Sequence, residues 1–124
     1  MANPFVHLEL NTRNLQQSKD FYGQLFGWQF QDIDMGPMGT YSTFQCDSGP
    51  GGGMTASTGA PVGWLAYIGV ADVKATTEQA VALGATVLHG PAEVPGIGWM
   101  TIFHDPAGAG IAIFQASQPV PAQP

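Results

Sequence analysis

The chain predicts an α+β fold made of two copies of one β-α-β-β-β unit, on three observations. The stretches His7–Leu15 and Leu65–Val73 share one layout: an alternating apolar strand, a polar residue able to cap a helix (Asn14, Asp72), and a helical pattern closed by Gly27 or Gly84. Leu10/Ile68, Asn14/Asp72, Leu15/Val73 and Leu25/Leu83 keep a constant offset of 58, which slips by one at Gly27/Gly84. A period that long marks a duplicated supersecondary unit, not a short-repeat solenoid. Third, Gly- and Pro-rich turns cut the rest of each copy into short strands. Two such units facing each other would enclose a cavity, where function is to be sought.

The first strand spans Pro4 to Leu10. Period-two alternation puts Val6, Leu8 and Leu10 on one face and Phe5, His7 and Glu9 on the other. Asn14 followed by Gln17 is a capping-box pattern, and Gly27 ends the helix. Its expected buried stripe is Leu15, Ser18, Phe21, Tyr22 and Leu25. Strands follow at Trp28–Ile33, Thr40–Cys46 and about Gly52–Ser57, set off by Gly36-Pro37 and the Gly49-Pro50-Gly51 turn.

The second copy opens near Gly63, after a connection over 58–62. Trp64, Ala66, Ile68 and Val70 face one way; Leu65, Tyr67 and Gly69 face the other. Asp72 caps a weaker helix from Val73 to Leu83. A short strand at Thr86–His89 and a loop at Pro91–Gly96 come next. Gly98–His104 and Gly110–Phe114 then form a hairpin around Asp105-Pro106-Ala107-Gly108. The modules are therefore 4–57 and 63–116 of a single domain, with a frayed tail at 117–124.

Apolar residues make up 44% and charged residues 10% of 124, a globular composition with enough chain for a sizeable core. Nine acidic against three basic residues leave a net charge of −6, which repels polyphosphates and excludes nucleic acid as a partner class. A cationic ligand would be attracted, although the main effect of the acids is solubility. No apolar run is long enough to span a membrane, and the start has no signal-peptide pattern, so the expected location is cytoplasmic. Cys46 is the single cysteine and is read as an inert buried thiol.

Phe21-Tyr-Gly-Gln-Leu-Phe-Gly-Trp28 in the first half and Phe103-His-Asp-Pro-Ala-Gly108 before the last strand, in this order and duplicated frame, resemble the vicinal oxygen chelate superfamily. That superfamily holds glyoxalase I, extradiol dioxygenases and the fosfomycin- and bleomycin-resistance proteins. The resemblance runs from about Phe5 to Gln115. It implies that each βαβββ module is a strongly curved half-barrel and that the two enclose one site. It also implies, for members that use a metal, ligands on the first and fourth strands of each module. There a divalent cation binds two adjacent substrate oxygens and stabilises the developing oxyanion.

Carried onto this chain, those four positions are His7, about Met54, Leu65 and Ala112. Only His7 is a metal ligand of the usual kind, because a thioether suits hard divalent ions poorly. A lone imidazole does not hold such an ion against water, so no metal or other cofactor is expected. Glu9, two residues along on the same face, makes a titratable pair with His7. Partial desolvation beside an imidazole moves a carboxyl toward neutrality, as a general base needs. His7 and Glu9 are therefore the candidate catalytic residues.

Tyr41, Met54, Leu65, Tyr67, Trp99, Ala112 and Phe114 are the candidate substrate-binding residues, aromatic or apolar groups of the cavity wall. His89 and His104 read as surface histidines. The glycine run Gly49–Gly53 lacks a following Lys-Ser/Thr and helix, so it is a turn or bulged strand start and not a phosphate loop. Ser18, Ser42 and Ser48 lie in no nucleophile elbow.

The expected function is binding of a small organic molecule without a catalytic metal, as in the bleomycin-resistance members. The alternative is a glyoxalase-like lyase, isomerase or hydrolase that uses His7 and Glu9 without metal, or a metal-dependent lyase or dioxygenase with an atypical site. The resemblance also implies a homodimer.

Overall fold

The computed structural model describes residues 3–56 and 61–117. The tail beyond Ser117 and most of the 58–62 connection lie outside the described residues. The elements are β1 (Phe5–Asn11), α1 (Leu15–Phe26), β2 (Phe30–Asp34), a 3-10 turn (Gly36–Met38), β3 (Thr40–Phe44), β4 (Gly52–Thr55), β5 (Gly63–Gly69), α2 (Val73–Ala82), β6 (Thr86–Val94), β7 (Gly98–His104) and β8 (Gly110–Ala116). This is an α+β fold in which the β-α-β-β-β order occurs twice. Two compact units are present: Val6–Ala66, and Tyr67 onward together with the residues up to Phe5.

In the first unit the strands run in the order β2-β3-β4-β1. β2, β3 and β4 are antiparallel neighbours, whereas β4 lies parallel to β1. Leu10 pairs with Met54 and Ser42 with Met54, so one face of the sheet carries Leu10, Met54, Ser42 and Phe44. Leu10, Phe44 and Met54 are the buried core, with Leu15, Tyr22, Trp28, Phe30 and Cys46 packed against them. Trp28 stacks on Phe44 with ring centroids 4.2 Å apart. Cutting Met54, which is fully buried, to alanine would cost about 2–5 kcal/mol.

α1 begins where Asn14, in an extended conformation, accepts a hydrogen bond from the Gln17 amide. It ends at Gly27, whose left-handed φ of 75° needs no Cβ and lets its N–H reach the Gly23 carbonyl. Lys19 donates to both carboxylate oxygens of Asp32 at 2.8 and 2.9 Å, tying helix to β2. Those bonds, helped by the Ser42 hydroxyl, hold the Asp32 carboxyl below the usual carboxylate range.

The expected buried stripe of α1 is corrected. Leu15, Ser18 and Tyr22 are partly buried, but Phe21 and Leu25 are 57% and 58% exposed. At about 100° per residue they sit roughly 80–120° around the helix from Leu15. The apolar arc of α1 is wider than the sheet beneath it covers.

In the second unit the order is β5-β8-β7-β6, with β5 parallel to β8 and the remaining neighbours antiparallel. Asp72 caps α2 by accepting from the Ala75 amide, and the Gln115 side chain accepts from the Val73 amide. The Thr77 hydroxyl bonds the Val73 carbonyl and, at 2.9 Å, the fully buried Thr101 hydroxyl. These links identify the β7–β8 face carrying Thr101 and Gln115 as the one under α2. Asp105 closes the last hairpin by accepting from the amides of Ala107 and Ala109.

A second correction concerns Pro91–Gly96, expected as a loop. β6 continues through Pro91 to Val94, because register shifts between Val87 and His89 and between His89 and Ala92 absorb the Gly90-Pro91 step without ending the pairing.

Candidate functional site

The face of the first sheet opposite its core carries His7 and Glu9, two residues apart on β1. Tyr41 comes to them from β3, which is not the neighbour of β1. To arrive, its ring must cross β4, and the residue it crosses is Gly53. Gly53 pairs with Glu9 on one side and Thr43 on the other. A Cβ there would lie 2.2 Å from the Tyr41 ring, so any larger residue would push the ring off this path. A Cβ at the neighbouring Gly52 would run into the Leu8 carbonyl oxygen. The glycine run thus serves close approach, of backbone on one side and of a side chain on the other.

The result is a hydrogen-bonded group drawn from two strands across a third. Tyr41 Oη lies 2.7 Å from His7 Nε2 and donates to Glu9 Oε1 at 3.3 Å. The phenol has one hydrogen, so donation to Glu9 makes its oxygen the acceptor of His7 Nε2–H. His7 Nε2 and Glu9 Oε1 are themselves 4.0 Å apart. The His7 and Tyr41 rings lie nearly parallel, at 17°, with centroids 6.4 Å apart. Both His7 and Glu9 are part-buried, their side chains 33% and 27% exposed. Burial pushes the His7 imidazole below its ordinary value, which keeps it neutral near pH 7. Asn11, next on the same face, is buried and donates to the Pro61 carbonyl at 3.0 Å.

The other expected binding residues fall in three places. Met54 is corrected: it belongs to the core on the opposite face, and the β4 residue on the His7 side is Gly53. A one-residue difference in register reverses the face. Leu65 and Tyr67 share one side of β5 by alternation, and Ala112 and Phe114 pair with Tyr67 and Gly69 on that side. Trp99 is not with them. It pairs with Gln115 on the α2 side, where it lines a cleft of about 530 Å³ with Val73, Lys74, Thr77 and Pro91. Gly53 and Asn11 are the residues that sequence reasoning missed.

A divalent metal does not fit this donor set. Two protein donors, the His7 imidazole and the Glu9 carboxylate, stand together with a tyrosine hydroxyl between them. A catalytic zinc site commonly takes three protein ligands. Among the described residues no three His, Cys, Asp or Glu side chains converge.

Comparison with known proteins places the chain in a family. Residues 5–113 match the family model described as Glyoxalase/Bleomycin resistance protein/Dioxygenase superfamily. DnrV of Streptomyces peucetius, named an anthracycline biosynthesis protein, is 30% identical over 126 residues, covering 86% of this chain and 45% of its own length. CFP32 of Mycobacterium tuberculosis, provisionally named a glyoxylase, is 30% identical over 121 residues, covering 93% of this chain and 46% of its own. The chain thus spans a little under half the length of these curated relatives. Methylmalonyl-CoA epimerase of Streptomyces coelicolor superposes with a TM-score of 0.72 at 15% identity, over 95% of this chain and all of that one. At that identity the likeness is one of fold. Among the described residues no helix is long and apolar enough to cross a membrane.

Proposed function

Because this chain belongs to the glyoxalase/bleomycin resistance protein/dioxygenase superfamily, we propose that it binds a small oxygenated organic molecule against the His7–Tyr41–Glu9 face, without a catalytic metal. The observation that carries this reading is the hydroxyl of Tyr41 held between an imidazole and a carboxylate at 2.7 and 3.3 Å. Three polar groups in a fixed, part-buried row can orient a ligand's hydroxyl or carbonyl groups, because less rotamer freedom is lost on binding. The DnrV relative directs attention to oxygenated polycyclic aromatics, whose rings would lie on the open Tyr41 surface.

A second reading is proton transfer at a carbon next to a carbonyl, by a metal-independent enzyme. The observation that favours it is the continuous path from His7 Nε2–H through Tyr41 Oη to Glu9 Oε1. A carboxylate that takes a proton from substrate while a neutral imidazole stands one hydroxyl away is a general acid–base arrangement.

Thermal-shift and calorimetric titration with hydroxylated polycyclic aromatics and with 2-oxoaldehyde–thiol adducts test both. Binding that survives chelator treatment and weakens roughly tenfold in Tyr41→Phe and His7→Ala is the expected result. Turnover of a bound compound, lost in Glu9→Gln, would select the second reading. Unchanged affinity in Tyr41→Phe, His7→Ala and Glu9→Gln would remove this face from consideration.

A further inference from the structure

The cleft that Trp99 lines belongs wholly to the second unit, on the α2 side of its sheet. Its volume of about 530 Å³ falls within the range of small-molecule sites. Trp28 and Trp64 are built into ring contacts with Tyr22 and Phe44. Trp99 meets no other ring among the described residues and is 39% exposed. Buried Val73 and the Pro91 ring border it. An indole left open in such a setting offers a flat face on which a second aromatic ring can stack.

Three polar groups stand round that face. Gln115 is the neighbour of Trp99 across the β7–β8 pairing, and its side-chain oxygen accepts from the Val73 amide at 2.8 Å. An amide fixed through its oxygen keeps its two N–H donors for something else, and these have no protein partner among the described residues. Lys74, exposed and next to Val73, lines the same cleft. Both groups donate hydrogen, and both stand at the N-terminal end of α2, where the helix dipole favours negative charge. One turn along, Glu78 supplies the opposite charge. Thr77, which also borders the cleft, brings no free hydrogen, because its hydroxyl is engaged with Val73 and Thr101.

Lys74 and Glu78 are spaced to pair with each other, yet no ion pair joins them. With lysine on the N-terminal side such a pair is the weaker of the two orders, so it competes little with a ligand. Charge complementarity selects the occupant. A simple anion is disfavoured by a net charge of −6, and a simple cation by Lys74. A molecule that carries both charges answers each side chain.

We propose that this cleft is a second ligand site, which takes an aromatic zwitterion of the free amino acid kind. The ring stacks on Trp99, the carboxylate accepts from Lys74 and Gln115, and the ammonium donates to Glu78. This holds whatever the His7 face binds.

The indole N–H resonances of the isotope-labelled full chain test it, Trp99 being the one missing from Trp99→Phe. L-tryptophan, tryptamine and indole-3-propionate present one ring with both charges, the ammonium alone and the carboxylate alone. L-tryptophan is expected to shift the Trp99 resonance saturably. The other two should each bind about threefold more weakly, the scale of an exposed charge pair. Lys74→Met should remove most of the preference over tryptamine, and Glu78→Gln most of that over indole-3-propionate. Both positions are exposed, so far-UV circular dichroism should stay unchanged. A Trp99 resonance that L-tryptophan does not shift saturably would overturn the proposal. So would a probe lacking one charge that binds as tightly as L-tryptophan, or preferences that survive in both variants.

Discussion

A tyrosine reaches across a neighbouring strand only where that strand offers no side chain in its way. Gly53 is that opening: a Cβ at 2.2 Å from the Tyr41 ring leaves no room for even a methyl group. Gly53→Ala should therefore cost about 1–3 kcal/mol in chemical denaturation. It should also lower ligand affinity as much as Tyr41→Phe does, because it moves the hydroxyl off His7 and Glu9. His7 makes a separate prediction. Its folded-state imidazole titrates below the ordinary value of about 6.5, so the unfolded chain takes up the proton first as pH falls. The stability this group supports is complete above about pH 6.5 and declines between there and its lowered folded value. Denaturation midpoints measured across that range should fall with acid in the wild type and flatten in His7→Gln. At this scale the sequence was partly legible. Alternation alone put His7 and Glu9 on one face. It could not tell that Gly53, and not Met54, stands beside them, since a glycine run carries no apolar pattern to pin its register.

Helix ends and hairpin turns were the most legible elements, because each is written in adjacent residues. Asn14 with Gln17, Asp72 with Ala75 and Asp105 with Ala107 and Ala109 all make the side chain-to-amide bonds that their spacing implies. Asn14→Ala should lower stability by about 1 kcal/mol, read from the shift in the denaturation midpoint, with ligand affinity unchanged because α1 lies on the other side of the sheet from Tyr41. The elements also show where periodicity misleads. The apolar spacing of α1 reads as a wide buried stripe, yet only its Leu15–Tyr22 side meets the core. Nothing in a helix's own sequence distinguishes an apolar residue awaiting a sheet from one awaiting another protein. β6 is the converse case: Gly90 and Pro91 are strong turn signals, but pairing with β7 carries the strand past them.

For the whole molecule, duplication is the governing fact. Each half repeats strand, capped helix and three strands, and in each the first strand lies parallel to the last of the three that follow its helix: β1 to β4, β5 to β8. The same frame has been used differently in the two halves. The first carries His7, Glu9 and Tyr41 on the face away from its helix. The second, at Leu65, Tyr67, Ala112 and Phe114, carries apolar and aromatic side chains on the corresponding face. Compact-unit boundaries depart from the sequence modules by a few residues. Pro4 accepts from the Gly69 amide, which groups the N-terminal residues with the second half.

By itself the sequence determined the two modules, their element order, their caps and the side of β1 on which the titratable pair stands. All of these are recorded in residues less than about one helical turn or two strand positions apart, where local geometry dictates the outcome. Only the tertiary structure decided the register of β4 against β1, the passage of Tyr41 over Gly53, the removal of Met54 to the core and of Trp99 to the α2 side, and the exposure of Phe21 and Leu25. Each of those depends on which distant strand lies alongside, and in what alignment, a choice settled by packing across tens of residues and not by any neighbour in the chain.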